Sequence, residues 1–434
     1  WTGCRRGAAA EAGGRPRPVA RDAPEPVAVR RRTRIVGKAL VGLLGLAAAV
    51  LVAWAAAIGP RAVARILAHG TTTVWDHRIY PGRSLRPSPD PVRWPGAEQR
   101  LPPPEVELDP ASVPLDTALA RTGTLAFVLV RDGELVHEWY APDHGPETPS
   151  MVFSVTKSVL SLLIGAAIDD GLIGSEDDPV TTYLPELAGA GFDRVRLEDL
   201  LRMDSSVDYV ESDNPFGRHV EFNYTADLTA DVLGLRVRGE PDPTFRYKSA
   251  DYALLGLVLD RVLGERSVTA YLQERLWDPL GAEGAGTWST DREGGLERTW
   301  CCLAVTAGDL ARLGQLVLDG GRWRGRRIVT ERWIRSSLRP GFEPRRWPAE
   351  YEGSPLANYG YGWWITREGA RVALGKDGQY LYVDPGRETV LVRLGEGRGG
   401  HPWLATLARV AAAGRDSGAL LPSDPPARGH GDAA

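Results

Sequence analysis

Ser154 and Lys157 stand three residues apart in Phe153-Ser154-Val155-Thr156-Lys157, where an apolar run with helical spacing begins. Positions three apart share a helix face, so the lysine can reach the serine hydroxyl. A desolvated lysine can give up its proton near neutrality, which arginine cannot. The pair has the chemistry of a serine nucleophile with a lysine base, set where helix N–H groups and the helix dipole favour an oxyanion. Composition sharpens this reading. Of 52 Lys and Arg residues only four are lysines, Lys38, Lys157, Lys248 and Lys376, so a position asking only for charge has become arginine. The plainer alternative is Ser154 as an N-cap and Lys157 as a solvated first-turn residue. The dipole speaks against it, since cations are disfavoured in a first turn.

Two later segments could complete such a site. In Phe245-Arg246-Tyr247-Lys248-Ser249-Ala250, Tyr247 and Ser249 precede an apolar helix. A buried tyrosine beside two lysines could lose its proton and act as a base toward Ser154; taken alone, Tyr247 also reads as a packed loop aromatic. In Gly375-Lys376-Asp377-Gly378-Gln379-Tyr380, a glycine-flanked strand lets substrate approach the backbone, and the Gln379 N–H could face that of Ser154 as a second oxyanion donor. The alternative there is a turn before an edge strand.

In this order the three elements resemble the class C β-lactamase and penicillin-binding-protein superfamily of serine hydrolases. Its pattern is Ser-x-x-Lys, then Tyr-x-Asn or Tyr-x-Ser, then Lys-x-Gly or His-x-Gly. The resemblance spans roughly residues 115 to 412 and includes Asp177-Asp178-Pro179-Val180, Leu200-Leu201-Arg202-Met203 and Gly320-Gly321-Arg322-Trp323. Ser249 in place of asparagine, and Gly378-Gln379-Tyr380 continuing a strand, are most similar to the branch of 6-aminohexanoate-dimer hydrolases and related esterases. The resemblance implies Ser154 as nucleophile, with Lys157 and Tyr247 as a coupled base that later returns a proton to the leaving group. Ser249 and Lys376 complete the hydrogen-bond network. Backbone N–H groups of Ser154 and Gln379, beside Gly378, form the oxyanion hole. Tyr209, a few residues after Asp204-Ser205-Ser206, reads equally as a candidate substrate contact or a packing aromatic. No cofactor is implied.

Two departures bear on substrate. Asp204-Ser205-Ser206 replaces the usual Ser-Gly pair, and Asp377 stands where β-lactamases carry a hydroxyl that helps hold the substrate carboxylate. A carboxylate at that place repels another, so the expected substrate is a neutral or differently charged small ester or amide, with weak β-lactam turnover.

Other chemistries fit less well. A Ser-His-Asp hydrolase lacks its Gly-x-Ser-x-Gly elbow, and the seven histidines, His219 and His401 foremost, offer it no obvious partner. No His-x-x-x-His or Cys-x-x-Cys occurs to hold zinc. A catalytically silent relative, binding peptidoglycan fragments or a partner, is the alternative from a different class.

The elements that must position these residues are legible in outline. Leu125 to Val130 and Leu135 to Tyr140 read as strands joined at an Asp-Gly turn, the first buried. Helical patterns occupy Ser154 to Asp169, Leu197 to Met203, Ala250 to Leu263 and Ala307 to Asp319. Arg371 to Leu374, Gln379 to Val383 and Thr389 to Leu394 read as strands, and a helix from about Pro402 to Ala413 closes the domain. The fold class is α+β: one antiparallel sheet built from both ends of the domain, flanked by helices, with a helical insertion.

Ala39 to Ile58 is uncharged and matches the ~20 residues of a membrane-spanning helix. Arginines precede it, which places the N-terminus in the cytoplasm, the domain outside, and the chain as a single-pass protein of the cell membrane. The alternative is a signal peptide cleaved near Ala55-Ala56-Ala57. Residues 1–38 read as a disordered basic tail, 59–114 as a Pro/Arg-rich linker or wrapping arm, 115–412 as the hydrolase domain and 413–434 as a second disordered tail. The chain begins at Trp1, so an upstream start is expected. Net charge is −4, with the excess of arginine confined to the tail, so nucleic acid is not an expected partner. Cys4, Cys301 and Cys302 offer no disulfide framework, since adjacent cysteines rarely bridge. Oligomeric state has no signature.

Overall fold

The computed structural model describes residues 26–70, 72–96, 104–108, 111–212, 214, 217–239, 244–343 and 347–413. The chain divides into two units, Trp1–Ala56 and Ala57–Ala434. The first is represented by helix α1 (Pro26–Ile58), whose apolar stretch Val36–Ala56 buries nothing and is long enough to cross a membrane. Helix begins at Pro26 rather than near residue 39, so residues 26–38, read from sequence as unstructured, are helical. Pro26 suits a first helical position, and no further proline interrupts the arginine-rich turns that follow. Residues 1–25 and 414–434, the rest of the expected tails, lie outside the described residues.

The second unit is built on a seven-stranded antiparallel sheet. Its strands are β1 (Thr124–Arg131), β2 (Glu134–Tyr140), β3 (Leu356–Tyr359), β4 (Trp364–Thr366), β5 (Arg371–Gly375), β6 (Gln379–Asp384) and β7 (Thr389–Gly395), in the spatial order β3-β4-β5-β6-β7-β1-β2. The two ends of the domain meet at the β7–β1 pairing, with Val390 opposite Val130 and Val392 opposite Val128. Every residue of β1 and β7 is buried, which is why both read as continuous apolar runs rather than alternating ones. Helix α6 (Ala307–Leu318) lies close on this sheet: a Cβ at Gly314 would come within 2.5 Å of Val390 and 2.7 Å of Leu381. Helix α7 (Trp403–Ala412) packs on β7.

Between the sheet's two halves run α3 (Val155–Asp169), α4 (Leu197–Arg202) and α5 (Ser249–Leu263), with α3 and α5 packed on each other. A smaller antiparallel sheet joins Gly82–Leu85, Gly286–Ser289, Leu303–Val305 and Ser150–Met151 in that order. It holds the chain just before Ser154 and also captures part of the segment after α1. A short amphipathic helix, α2 (Pro60–His69), packs on the helix Arg218–Tyr224, burying Ala62 and Val63.

Lys376 does not lie within a strand as the sequence implied. Lys376–Gly378 forms a tight turn between β5 and β6, with Asp377 at φ 58° and Gly378 at φ 78°, and β6 is a central strand rather than an edge. Buried Arg393 on β7 clamps this turn. Its guanidinium donates to the carbonyls of Gly378 (2.7 Å), Thr122 (2.8 Å) and Gly397 (3.0 Å) and to the Thr124 hydroxyl (2.9 Å), while stacking over Trp403. Burial pulls the guanidinium down to about 9. Replacing Arg393 by Leu leaves three buried carbonyls without donors and is expected to destabilise the domain by about 2–4 kcal/mol. Thermal unfolding followed by tryptophan fluorescence measures the loss.

Candidate active site

Ser154, the candidate nucleophile, sits where the small sheet hands the chain to α3. Ser150 and Met151 pair with Val305 and Ala304, and Val152 N–H donates to Leu303 O at 2.8 Å. Phe153 then adopts φ 45°, an uncommon conformation for a bulky residue, and the chain enters the helix at Ser154. The Ser154 N–H has no protein partner among the described residues. The same sheet carries the opposing strand back through Cys302, Cys301 and Trp300, so these residues lie beside Ser154.

Lys157 is buried at the first turn of α3, 1% exposed. Its ammonium donates to three acceptors: Ser154 Oγ at 3.0 Å, Ser249 Oγ at 3.2 Å and the Trp300 carbonyl at 2.9 Å. Those are all the hydrogens it has. Burial pulls its proton affinity down to about 8, with the charge of Glu211 acting in the opposite direction. A neutral Lys157 keeps two hydrogens, which Trp300 O and Ser249 Oγ can hold, and its lone pair then points at the Ser154 hydroxyl.

Ser249 opens α5 and is itself oriented by Glu211, whose carboxylate accepts from the Ser249 N–H (2.8 Å) and hydroxyl (2.7 Å). Burial pushes Glu211 up. The hydrogen bond and attraction of His219, the Lys157 charge and the Ser249 N–H outweigh it and hold the carboxyl at about 2. His219 is fixed in turn by the Tyr209 hydroxyl at 2.9 Å and the Asn223 side chain at 3.1 Å, and Asn223 accepts from the Trp300 indole at 3.1 Å. The network thus closes on the residue whose carbonyl meets Lys157. Nothing in the sequence marked Glu211 or Trp300 for these positions.

The other expected site residues are placed unequally. Tyr247 lies against Lys157, its ring centroid 4.8 Å from the ammonium, and stacks on Trp364 at 5.7 Å. Burial and the charge of Glu211 raise its proton affinity, against a hydrogen bond with Ser154. These influences favour the neutral phenol over the phenolate base that the sequence suggested. Lys376 is exposed at the mouth of the cleft and forms no hydrogen bond with Ser154, Lys157 or Tyr247 among the described residues. Gln379 opens β6 opposite Gly375, and its side-chain amide ties the turn together by donating to Lys376 O, Asp377 O and Gly395 O. A Cβ at Gly375 would come 2.5 Å from Val152 O, so this turn closes directly on the nucleophile loop. Tyr209 is buried behind His219, against Phe222, and lines a smaller pocket of about 420 Å³ instead of the cleft that holds Ser154.

The segment that departs from the usual Ser-Gly pair is a structural knot. Asp204 pairs with Arg202 at 3.0 Å. Ser205 donates to Asp251 at 2.7 Å while accepting from buried Lys248 at 2.8 Å. Ser206 takes φ 57°, the conformation that glycine adopts more easily. Lys248 therefore serves packing rather than the nucleophile.

Ser154 opens into a cleft of about 990 Å³, lined also by Phe153, Glu211, Ser249, Trp300 and Lys376. Cys301 and Cys302 form a disulfide on its wall, contrary to the expectation from their adjacency. The chain turns sharply here, with Cys302 at φ 72°, Cys301 N–H bonded to Arg298 O and Cys302 O accepting from Ser289 N–H, and this turn brings the two sulfurs together.

The family model described as Beta-lactamase matches residues 115–415. A 6-aminohexanoate-dimer hydrolase of Paenarthrobacter ureafaciens is 33% identical over 301 residues, covering 64% of this chain and 74% of that protein. The solved structure of a protein assigned as a 6-aminohexanoate-dimer hydrolase from Bacillus anthracis superposes with a TM-score of 0.66 at 23% identity, over 78% of this chain and 91% of that one. EstCE1, a hydrolase with promiscuous acyltransferase activity, superposes with a TM-score of 0.55 at 18% identity, over 69% of this chain and 96% of its own.

Glu211→Gln removes the charge that holds the Lys157 proton on, so the base should be freed at lower pH. The rate at which a fluorophosphonate labels Ser154 is expected to rise with pH in both proteins, its midpoint displaced toward acid in the variant. A midpoint that stays put or moves toward alkali contradicts the coupling.

Proposed function

Because the chain belongs to the beta-lactamase family of serine hydrolases, we propose that it cleaves a small ester or amide through an acyl-enzyme on Ser154. The observation that carries this reading is the Lys157 amine 3.0 Å from Ser154 Oγ, with its other two hydrogens held by Ser249 and Trp300 O. Neutral Lys157 accepts the hydroxyl proton as Oγ adds to the substrate carbonyl carbon. The oxyanion forms against the Ser154 N–H, with the Gln379 N–H as the proposed second donor. The Lys157 ammonium, through the Tyr247 phenol where the leaving group is closer to it, returns the proton as the C–N or C–O bond breaks. Water then attacks the acyl-enzyme, Lys157 takes a proton again, and Ser154 leaves with it restored. Tyr247 is a relay in this scheme because its high proton affinity keeps it protonated between turnovers.

The named relative supports a linear amide among the substrates. Asp377, beside Lys376 at the cleft mouth, supports poor acceptance of β-lactam carboxylates. The uncharged stretch Ala39–Ala56 of α1, preceded by Arg30-Arg31-Arg32-Thr33-Arg34 and Lys38, supports a single-pass anchor with the hydrolase domain outside the cytoplasm.

Turnover of short p-nitrophenyl esters, a linear 6-aminohexanoate dimer and nitrocefin tests the reading, with Ser154→Ala as reference. Ester or amide hydrolysis is expected to fall by about 10³-fold or more in Ser154→Ala, with nitrocefin the poorest substrate of the three. In the unaltered protein kcat/KM should rise with pH around a midpoint near 8, where Lys157 loses its proton. Hydrolysis that survives in Ser154→Ala refutes the acyl-enzyme, and rapid nitrocefin hydrolysis refutes the substrate assignment.

A further inference from the structure

Residues 59–70 and 72–80, which follow α1 and precede the family-matched region, form part of the cleft wall. Ile66, Gly70, Thr72 and Tyr80 line the same cleft as Ser154, yet all precede residue 115, where the match to the family begins. The segment is pinned in place. Arg65 donates to the carbonyls of Tyr224, Thr225 and Asp291 at 3.2–3.4 Å. The Tyr224 hydroxyl donates to Gly70 O at 2.7 Å, and Thr72 bonds the same hydroxyl at 3.4 Å. Tyr80 packs edge-on against Tyr224 and under the buried guanidinium of Arg298. Ile58, Ala62 and Val63 are buried, while Leu67, next to Ile66 on the helix, is 63% exposed.

Ile66 and Tyr80 meet Phe153, Val220, Tyr224 and Trp300 around one cleft. This is a predominantly apolar surface; of the charged groups on the cleft's lining, Lys376, Asp377 and Arg398 come from the β5–β6 turn and the loop after β7, and Glu211 and the buried Arg298 complete the set. We propose that this segment is a substrate-specificity element: it supplies the surface on which an extended aliphatic portion of the ester or amide binds, so that the enzyme favours substrates with a long alkyl group over short ones. The assignment rests on Ser154 being the nucleophile. Each methylene brought fully out of water against this wall is worth about fourfold in rate constant at low substrate.

The test uses the full chain in detergent micelles and two alkyl fluorophosphonates, ethyl and octyl, in each of which the Ser154 oxygen bonds to phosphorus and displaces fluoride into solvent. The second-order labelling rate constants are compared in the unaltered protein, Ile66→Asp, Ile66→Leu and Leu67→Asp. The octyl-to-ethyl ratio should exceed about tenfold in the unaltered protein, fall at least fivefold in Ile66→Asp, recover in Ile66→Leu and hold in Leu67→Asp. Ethyl labelling with an unchanged ratio in Ile66→Asp overturns the wall while leaving the nucleophile intact. A ratio that falls equally in Leu67→Asp assigns the loss to the helix as a whole and overturns the role of Ile66. Absence of labelling by either probe overturns the nucleophile and the wall with it.

Discussion

Burying an ammonium group is the constraint around which this domain is organised. Lys157 sits in the interior with no carboxylate in direct contact among the described residues, so its contacts are hydrogen bonds: one hydroxyl from α5, one carbonyl from the strand connection at Trp300, and the Ser154 hydroxyl. The incomplete compensation is what makes the lysine usable. A carboxylate in contact would hold the proton on, whereas Glu211, one residue further out behind Ser249, acts more weakly. Burial lowers the proton affinity of Lys157, and the Glu211 charge partly offsets it.

Three separate parts of the chain have to meet for this to work, and close backbone approaches show how they are held. Gly256 on α5 leaves room for Thr299, whose hydroxyl donates to Tyr252 O at 2.8 Å and so fixes the strand connection against the helix one residue before Trp300. Gly375 admits the Val152 carbonyl, bringing the β5–β6 turn to the nucleophile loop. Arg393 and the Gln379 amide hold that turn from below. Side chains far from the reacting atoms therefore decide whether the site is assembled.

The region before the family-matched domain belongs to the same compact unit. Gly82–Leu85 adds a strand to the small sheet, pairing with Gly286–Ser289. Trp94 donates its indole N–H to Gly308 O on α6 and meets Trp323 edge-on. The scattered tryptophans and tyrosines of this proline-rich stretch are its points of attachment, which explains how a segment with little regular structure stays on the domain.

Some of this was readable in the residues themselves. Local chemistry and period are properties of neighbours in the chain, so Ser154 three before Lys157, the helix that carries them, the continuous apolar strands β1 and β7 and the uncharged stretch of α1 were all legible from spacing alone. The order of the three motifs pointed to the family for the same reason. What surrounds each group was not, because burial and charge at a point come from segments remote in sequence. Lys376 stands exposed on a turn at the cleft, and burial together with the Glu211 charge favours the neutral form of Tyr247, neither of which is visible in the residues themselves. The Trp300 carbonyl, Glu211 and the Cys301–Cys302 wall carry no local signature. Sequence determined which groups could react. Packing of α3, α5 and the small sheet into one low-dielectric site decided which of them has its proton affinity tuned to do so.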